Sequence, residues 1–235
     1  MSVDYDFSGR VALVTGASGA LGSAIARAFD DAAATVAAVD LVAPTEDDAL
    51  LEPGTADFYE ADLTDESAVE GTVDAVVEDH GGLDVLCNIA GTWRGGSPID
   101  ETDVEEFDLL FDVNLKTMFL ASKHAIPHLG DRDGAIVSVS ARSSLEGGSG
   151  DGPYRASKAG VRLLTETIAA ENAGELRANA VMPSVIDTPM NRDMMPDADH
   201  SSWVDPADIA SVVLFLAADA AGVTSGAAVP VYGEA

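Results

Sequence analysis

A short apolar run that leads into glycines and then into a helical pattern constrains this fold more than any other stretch. Residues 11–22 read VALVTGASGALG. Four apolar residues without a polar face, at 11–14, are typical of a strand buried on both sides of a parallel sheet. From about Ala20, apolar residues recur at helical spacing, at Leu21, Ile25 and Phe29. The stretch therefore predicts a strand, a tight turn and a helix of an α/β fold.

The turn has the composition of a phosphate-binding loop. Glycines let a backbone turn tightly and approach a pyrophosphate closely, and the N–H groups at a helix N-terminus bind phosphate. Gly16, Gly19 and Gly22 are three residues apart, and Ala20 stands where the related pattern TGxxxGxG has its middle glycine. Because strand-to-helix turns of other α/β proteins are also rich in small residues, the turn alone leaves dinucleotide binding open.

Asp40 favours dinucleotide binding, because it ends a second apolar run at residues 35–39 and lies 24 residues after Gly16. A carboxylate at this place accepts both ribose hydroxyls of an adenosine and repels the additional phosphate of NADP. No Arg or Lys follows in the next several residues. The sequence therefore predicts NAD as the cofactor, with a solvated carboxylate at a strand end as the alternative.

Strand and helix patterns alternate along the whole chain. With 235 residues and 47% hydrophobic residues, we expect a single domain with a sizeable core. The alternation predicts an α/β fold, a doubly wound (Rossmann) and mostly parallel sheet of seven strands with helices on both faces. The polar segment 42–54 admits a short helix, and one long helical region is expected over about 104–129. Ligands of such sheets bind outside the carboxyl ends of the strands.

The charge balance is extreme, with 41 acidic and 12 basic residues and a net charge of −29. Such a charge argues against nucleic acid or an anionic membrane as a partner. The acidic residues are scattered along the chain, and a self-repelling shell of this kind is tolerated best where salt screens it. We therefore expect a salt-rich cytoplasm, as in an extreme halophile. The absence of a secretory pattern or a long apolar run agrees with a cytoplasmic protein.

Tyr154 and Lys158 are four residues apart in a helical pattern over about 153–173, so their side chains are expected on one face. A phenol is a poor acid or base at neutral pH, and an adjacent ammonium group lowers its pKa by stabilising the phenolate. Asn114 lies in an apolar helical context, where an amide needs a specific partner. The pattern favours Tyr154 as a general acid or base, although a surface Tyr–Lys pair and a structural Asn are the plainer alternatives.

Several motifs together resemble the short-chain dehydrogenase/reductase family over essentially the whole chain. They are TGASGALG, Asp40, ADL at 61–63, NIAG at 88–91, VNL around Asn114, and YRASK at 154–158. The resemblance implies proton transfer by Tyr154, binding of the nicotinamide ribose by Lys158, and a water-mediated proton relay through Asn114. Expected NAD contacts are Gly16, Ser18, Gly19, Ala20, Leu21, Gly22, Asp40, Asp62, Leu63, Asn88, Ala90, Gly91, Tyr154, Lys158, Val185 and Thr188.

The resemblance also implies assembly. Related enzymes form homodimers or homotetramers through the helices equivalent to 104–129 and 154–173. We therefore expect a homo-oligomer that acts on a small-molecule substrate, with no metal site.

Position 141 departs from the family pattern. The catalytic serine usually stands thirteen residues before the tyrosine, where this chain has Ala141. Ser140 is adjacent, but its side chain in a strand should face the other way, and Ser143 is the other candidate. Ala141 and the segments 87–96 and 187–203 are similar to a dihydropteridine reductase subgroup. That similarity implies that Trp93 is a flat aromatic wall of the substrate site. The expected substrate contacts, under a covering segment at about 185–204, are Trp93, Ser140, Ser143 and Trp203.

Three functions remain open at this point. The first is an NAD(H)-dependent oxidoreductase that transfers a hydride between nicotinamide and a small carbonyl, alcohol or acyl substrate. The second is a dihydropteridine-reductase-like enzyme that uses NADH. The third is a non-catalytic NAD-binding sensor that has lost its serine. The presence of Tyr154, Lys158 and Asn114 argues for an enzyme, whereas Trp93 and Trp203 are also compatible with ordinary packing.

Overall fold

Seven parallel strands form the centre of the computed structural model, which describes residues 5–233. Their order across the sheet is β3-β2-β1-β4-β5-β6-β7. The bounds are β1 Val11–Thr15, β2 Thr35–Asp40, β3 Asp57–Glu60, β4 Val85–Asn88, β5 Ala135–Val139, β6 Arg177–Pro183 and β7 Ala228–Val231. The order reverses between β1 and β4, and this switch point is where open α/β sheets bind their ligands. The predicted doubly wound, seven-stranded sheet is confirmed, and all of its pairings are parallel.

Within residues 5–233, seven α-helices connect these strands. They are α1 Ala20–Asp31, α2 Glu66–His80, α3 Val104–Phe111, α4 Thr117–Gly130, α5 Gly152–Glu171, α6 Pro189–Met194 and α7 Pro206–Ala217. Asp65 fixes the start of α2, since its carboxylate accepts the amide of Ser67 at 2.8 Å. Among residues 5–233, no helix combines the length and apolarity that a bilayer crossing needs.

Strand β1 has apolar side chains on both faces because both faces are buried. Ala12 and Val14 belong to a buried cluster that includes residues of α1 and α7. Val11 and Leu13 point into a second cluster that includes residues of α2, α4 and α5. Because side chains alternate across a strand, a strand with helices on both faces must be apolar at every position.

Two expectations about helices were wrong. The region expected as one helix over 104–129 contains a π-helical turn, Asp112–Lys116, between α3 and α4. The segment 42–54 contains turns and no helix. In the first case the periodicity of apolar residues continues through the turn, so the sequence pattern gives no sign of the change in hydrogen bonding.

Candidate active site

The glycine turn after β1 is shaped by close contacts that a side chain would prevent. Gly16 has a left-handed φ of 64°, and a Cβ there would lie 2.7 Å from Cα of Ala90. A Cβ at Gly22 would lie only 2.0 Å from the carbonyl oxygen of Gly16. At Gly19 the nearest heavy atom would be 3.5 Å away, and no side chain caps the N-terminus of α1 there. No side chain of this turn therefore competes for the first N–H groups of α1, and the pyrophosphate site stays a prediction.

Asp40 ends β2 beside this turn, and its carboxylate is held by backbone donors. One oxygen accepts the amides of Leu41 at 2.7 Å and Val42 at 3.2 Å, and the other accepts the amide of Ser18 at 2.9 Å. The buried hydroxyl of Ser18 donates to the carbonyl of Val42. Asp40 is nevertheless only half-buried. The carboxylate is thus fixed in place and still accessible, which suits a ribose diol.

Thr15 connects this turn to the segment after β4, a role that the sequence analysis missed. Its Oγ1 donates to the carbonyl of Cys87 at 3.3 Å and accepts the amides of Ile89 at 3.0 Å and Ala90 at 3.2 Å. The signal in the sequence is a hydroxyl residue at the end of an otherwise apolar strand.

Asn88, expected to contact the cofactor, has its side chain turned into the protein. The residue is 4% exposed, and its amide nitrogen donates to Ser122 Oγ at 3.1 Å and Ser138 Oγ at 3.2 Å. The amide nitrogen of Asn88 therefore serves the packing of the protein, and the expected cofactor contact at Asn88 stays a prediction. Asn88 joins β4, β5 and α4 below the site, whereas Ala90 and Gly91 remain accessible.

The π-helical turn directs Asn114 inward. The residue is 1% exposed, and its Oδ1 accepts the amide of Thr92 at 2.7 Å. Its Nδ2 lies 3.1 Å from Ser157 Oγ, to which it donates, and Ser157 Oγ donates to the carbonyl of Tyr154 at 2.8 Å. Asn114 therefore connects the segment after β4 to the first turns of α5. Ser157 is a site residue that the sequence analysis missed, although it lies three positions after Tyr154.

The side chains of Lys158 and Asn114 both approach Gly91. A Cβ at Gly91 would lie 2.9 Å from Asn114 Oδ1 and 3.0 Å from Lys158 Nζ. Lys158 is buried, and its Nζ donates to the carbonyl of Val139 at 3.0 Å. Burial lowers the pKa of Lys158 to about 8, because the surrounding protein disfavours the charged ammonium.

Tyr154 lies in the first turn of α5 and is half-buried. The pKa of Tyr154 is raised to about 12, mainly because burial disfavours the phenolate; Asp151 also raises this pKa, whereas Arg155 lowers it. The expected lowering of this pKa by Lys158 is not what the structure shows. The physical reason is that burial disfavours the phenolate, while the ammonium of Lys158 is itself buried and bonded to Val139.

Three serines surround Ala141, which is 7% exposed. Ser140 is buried, and its hydroxyl donates to the carbonyl of Lys158 at 2.8 Å. The substrate contact expected for Ser140 is therefore wrong, for the reason of strand alternation. Ser144 is also buried, with its hydroxyl directed at Met182 Sδ. Ser143 is half-buried in the 3₁₀ turn Arg142–Leu145, and its hydroxyl forms no hydrogen bond with any group in residues 5–233.

The segment 185–204 follows β6 and is closed at its base by backbone pairing. The amide of Val204 donates to Val185 at 2.9 Å, and the amide of Asp187 donates to Val204 at 2.8 Å. Thr188 caps α6 by accepting the amide of Asn191 at 3.2 Å. Trp203 packs on His200, with ring centroids 4.3 Å apart. The other tryptophan, Trp93, is 41% exposed in the loop after Gly91.

The adenine contacts expected at Asp62 and Leu63 lie after β3. Asp62 is exposed, and its Oδ1 accepts the amide of Thr64 at 2.9 Å and the Thr64 hydroxyl at 2.7 Å. These bonds hold the pKa of the Asp62 carboxyl below its ordinary value. Leu63 is buried against the second apolar cluster.

Comparison with known proteins decides the family. The family described as enoyl-(acyl carrier protein) reductase matches residues 16–233 of this chain. The chain belongs to the short-chain dehydrogenase/reductase family. It is therefore an oxidoreductase by family. The glycine turn, Asp40, Asn114 and the Tyr154–Lys158 pair are the features of the site that the family resemblance had indicated.

Three relatives show how varied the substrates are within this family. The 3-oxoacyl-[acyl-carrier-protein] reductase FabG of Thermotoga maritima is 34% identical over 239 residues, covering 96% of this chain and 97% of the relative. The cis-4-hydroxycyclohexanecarboxylate dehydrogenase of Sinomonas cyclohexanicum is 34% identical over 240 residues, with 97% and 96% covered. The ligand-free aldohexose dehydrogenase of Thermoplasma acidophilum superposes with a TM-score of 0.87 at 31% identity, with 98% of this chain and 94% of that chain covered.

Proposed function

We propose that this protein is an NAD(H)-dependent oxidoreductase that transfers a hydride between nicotinamide and a small carbonyl, alcohol or acyl substrate. The observation that carries the proposal is that Asn114 Oδ1 and Lys158 Nζ both approach Gly91, where a Cβ would lie 2.9 and 3.0 Å from them, with Tyr154 one helical turn before Lys158 on α5. Asn114 is hydrogen-bonded within the protein, but burying the ammonium of Lys158 is costly, and a lysine whose pKa is lowered by burial is typical of a functional site. The family supports the class of reaction.

The residues present fit a nicotinamide dinucleotide. The glycine turn has no room for side chains at Gly16 and Gly22, and the N-terminus of α1 is free to bind the pyrophosphate. Asp40 favours NAD over NADP, because its fixed carboxylate accepts ribose hydroxyls and repels a phosphate. Ser18, Ala20, Leu21, Asp62, Leu63, Ala90, Val185 and Thr188 are proposed to line the remainder of the cofactor site. When bound, the cofactor supplies or accepts the hydride.

Tyr154 is the proposed general acid in reduction and the base in oxidation. Its phenol is protonated at neutral pH and can donate to a carbonyl oxygen, although a pKa of about 12 makes it a weaker acid than an ordinary phenol. Lys158 is proposed to hold the nicotinamide ribose. Asn114 and Ser157 fix the backbone around Thr92 and Tyr154, and Asn114 is proposed to carry the proton relay to water.

Ser143 is the proposed hydroxyl donor to the substrate oxygen, in the role that Ala141 does not perform. Of the serines around Ala141, it is the one that is only half-buried and whose hydroxyl forms no hydrogen bond within residues 5–233. Trp93 and Trp203 are proposed walls of the substrate site. Ala141 also favours a second candidate, a dihydropteridine-reductase-like enzyme, because an electron-poor quinonoid pterin depends less on a hydroxyl donor than a plain ketone does.

The test is NADH oxidation in multimolar KCl with small ketones, acyl thioesters and a freshly generated quinonoid dihydropterin, with NADPH in parallel. Tyr154→Phe should bind NADH normally and lose roughly 10²–10⁴-fold in turnover. Tyr59→Phe is the matched control, since Tyr59 lies on the edge strand β3 and bonds Asp79. It should keep full activity.

Each outcome of that panel separates the candidates. Turnover of the pterin alone supports the dihydropteridine-reductase-like enzyme, and turnover of a ketone or thioester supports the general reductase. NADH binding without turnover of any substrate supports the non-catalytic sensor. Loss of NADH binding in Tyr154→Phe makes the tyrosine structural and contradicts its proposed role.

We also propose a homodimer or homotetramer in a salt-rich cytoplasm. Phe107, Leu109, Phe119 and Leu163 expose apolar surface on α3, α4 and α5. An apolar depression between these helices is lined by Phe111, Leu115, Phe119 and Leu164. An exposed surface of this kind favours contact with a second copy.

A further inference from the structure

Arg155 contacts an unusual number of points in the chain that precedes α5. Its Nε donates to Asp151 Oδ1 at 2.6 Å. One terminal nitrogen lies 3.2 Å from the carbonyl oxygen of Glu146 and 3.4 Å from that of Ser143. The guanidinium also covers Gly148, where a Cβ would lie 2.2 Å from its central carbon. A single side chain therefore holds both ends and the middle of residues 143–151.

This segment has little else in its composition to hold it. Residues 146–152 read EGGSGDG, and Glu146, Gly147, Gly148 and Ser149 are exposed. Glycine loses more conformational freedom on ordering than any other residue. A planar guanidinium with five donors suits a site where several carbonyl oxygens must be bound at once, and a lysine ammonium does not reproduce that arrangement.

The segment also reaches the two parts of the proposed substrate site. Ser143 is at its beginning. Near its end, the carbonyl of Gly150 accepts the amide of Gly96 at 2.6 Å. A Cβ at Gly95 would lie 2.7 Å from that carbonyl and 3.1 Å from the Trp93 ring. The backbone amide of Arg155 donates to Asp151 at 3.0 Å, and Arg155 directly follows Tyr154.

We propose that Arg155 is a positioning residue that fixes residues 143–151, and through them Ser143 and the Trp93 loop, relative to Tyr154. Its contacts with Ser143, Glu146 and Asp151 carry the inference. The catalytic consequence rests on the proposed function, but the ordering of the segment does not. The two parts are therefore measured separately.

The first measurement needs no substrate. A glutamate-specific protease is applied to the full chain in KCl, and cleavage after the exposed Glu146 is followed by mass. Arg155→Gln should raise that cleavage rate by about tenfold or more, since a released segment populates cleavable conformations. Arg162→Gln is the matched control, because Arg162 forms an ion pair of the same 2.6 Å length and i,i+4 spacing on α5 with Glu166. It should leave the cleavage rate after Glu146 unchanged.

The second measurement uses whichever substrate the panel identifies. Arg155→Gln should bind NADH normally and lose about tenfold or more in kcat/KM, mainly through kcat, because small misplacements of site groups cost rate. Ser143→Ala should add little further loss in the Arg155→Gln background, although it reduces turnover on its own. Arg155→Lys should behave like Arg155→Gln, since the lysine keeps the positive charge but lacks the planar guanidinium with its several donors.

Several results would overturn the inference. Unchanged cleavage after Glu146 in Arg155→Gln shows that the segment does not depend on the guanidinium. Faster cleavage with unchanged kcat/KM shows that the segment takes no part in positioning the site. Full recovery of both properties by Arg155→Lys assigns the effect to charge alone. If no substrate turns over, the proposed function fails, and the protease measurement still decides whether Arg155 orders the segment.

Discussion

The buried, charged side chain of Lys158 makes an unfavourable contribution to the free energy of folding. Its ammonium is buried and, within residues 5–233, forms one hydrogen bond, to the carbonyl of Val139; burial lowers its pKa from 10.5 to about 8. In the unfolded chain the group keeps its ordinary pKa. Between these two values the unfolded state therefore binds more protons than the folded state, so the contribution of Lys158 to stability increases as the pH rises.

This shift predicts a pH-dependent difference between the wild type and Lys158→Met. The methionine keeps an unbranched side chain and removes the charge. Between pH 7.5 and 9.5 the free energy of unfolding of the wild type should rise relative to the variant by about 2 kcal/mol, because the lysine loses its proton in the folded state first. Urea unfolding of both proteins at the two pH values, in the same KCl concentration, measures it. If the free energy of unfolding of the wild type minus that of Lys158→Met stays constant or falls as the pH rises, burial does not lower the pKa of Lys158.

Single residues also show what the sequence could predict about the site. The four-residue spacing places Tyr154 and Lys158 on one face of α5, and strand alternation indicates that Ser140 faces away from Ala141, as the structure shows. The bonds of Thr15 and Ser157 were not predictable in this way. Their partners, Ile89 and Asn114, lie 74 and 43 residues away in the chain, and periodicity carries no information about contacts at such separations.

Gly19 and Gly22, in the turn between β1 and α1 and the first residues of α1, look alike in the sequence but have different surroundings. A Cβ at Gly22 meets the backbone of Gly16 and Ala17, with nearest distances of 2.0 and 2.8 Å, whereas Gly19 has a φ of −78° and no neighbour closer than 3.5 Å. Overpacking against rigid backbone is costly. The two positions therefore differ in how well they tolerate alanine.

We predict that Gly22→Ala lowers the free energy of unfolding by at least about 2 kcal/mol, because the turn or α1 must move to admit the methyl group. Gly19→Ala, the matched control, should cost less than about 1 kcal/mol, mainly through the weaker N-cap. Chemical denaturation of the three proteins without added cofactor makes the comparison independent of binding. Equal losses in the two variants would show that the turn is less tightly packed than the contacts indicate.

The π-helical turn around Asn114 is a part of the secondary structure that the sequence could not predict. Apolar residues recur at four- and three-residue spacings at Phe111, Leu115 and Met118, so the sequence indicated one helix. The structure instead has a π-helical turn, Asp112–Lys116, with Asn114 bonded to the amide of Thr92 and to Ser157. A change in the hydrogen-bond ladder moves a side chain without altering the apolar pattern. The strands were predicted closely because their signal, a continuous apolar run, is local.

For the whole molecule, the net charge of −29 acts on the folded state as a sum over many carboxylates. Folding brings these charges closer together than they are in the expanded chain, so repulsion destabilises the compact state. The Debye length falls from about 10 Å at 0.1 M salt to about 3 Å at 1 M. Salt should therefore stabilise this protein far more than one of balanced charge.

We predict that the midpoint of thermal unfolding rises by at least about 10 °C between 0.2 and 3 M KCl, which corresponds to roughly 3 kcal/mol for a chain of this size. General salt effects on apolar burial contribute as well, so the prediction needs a variant that changes charge alone. A suitable variant replaces six exposed carboxylates by their amides, at Glu70, Asp74, Glu78, Glu101, Glu171 and Glu175.

The amide variant should unfold at a higher temperature than the wild type in 0.2 M KCl and at nearly the same temperature in 3 M KCl. This convergence is expected because screening removes only the part of the instability that comes from repulsion. Equal salt dependence in the two proteins would assign the effect to apolar burial and remove the argument for a salt-rich cytoplasm. A wild type that is fully stable and active in 0.2 M KCl would do the same, since the acidic surface would then need no screening.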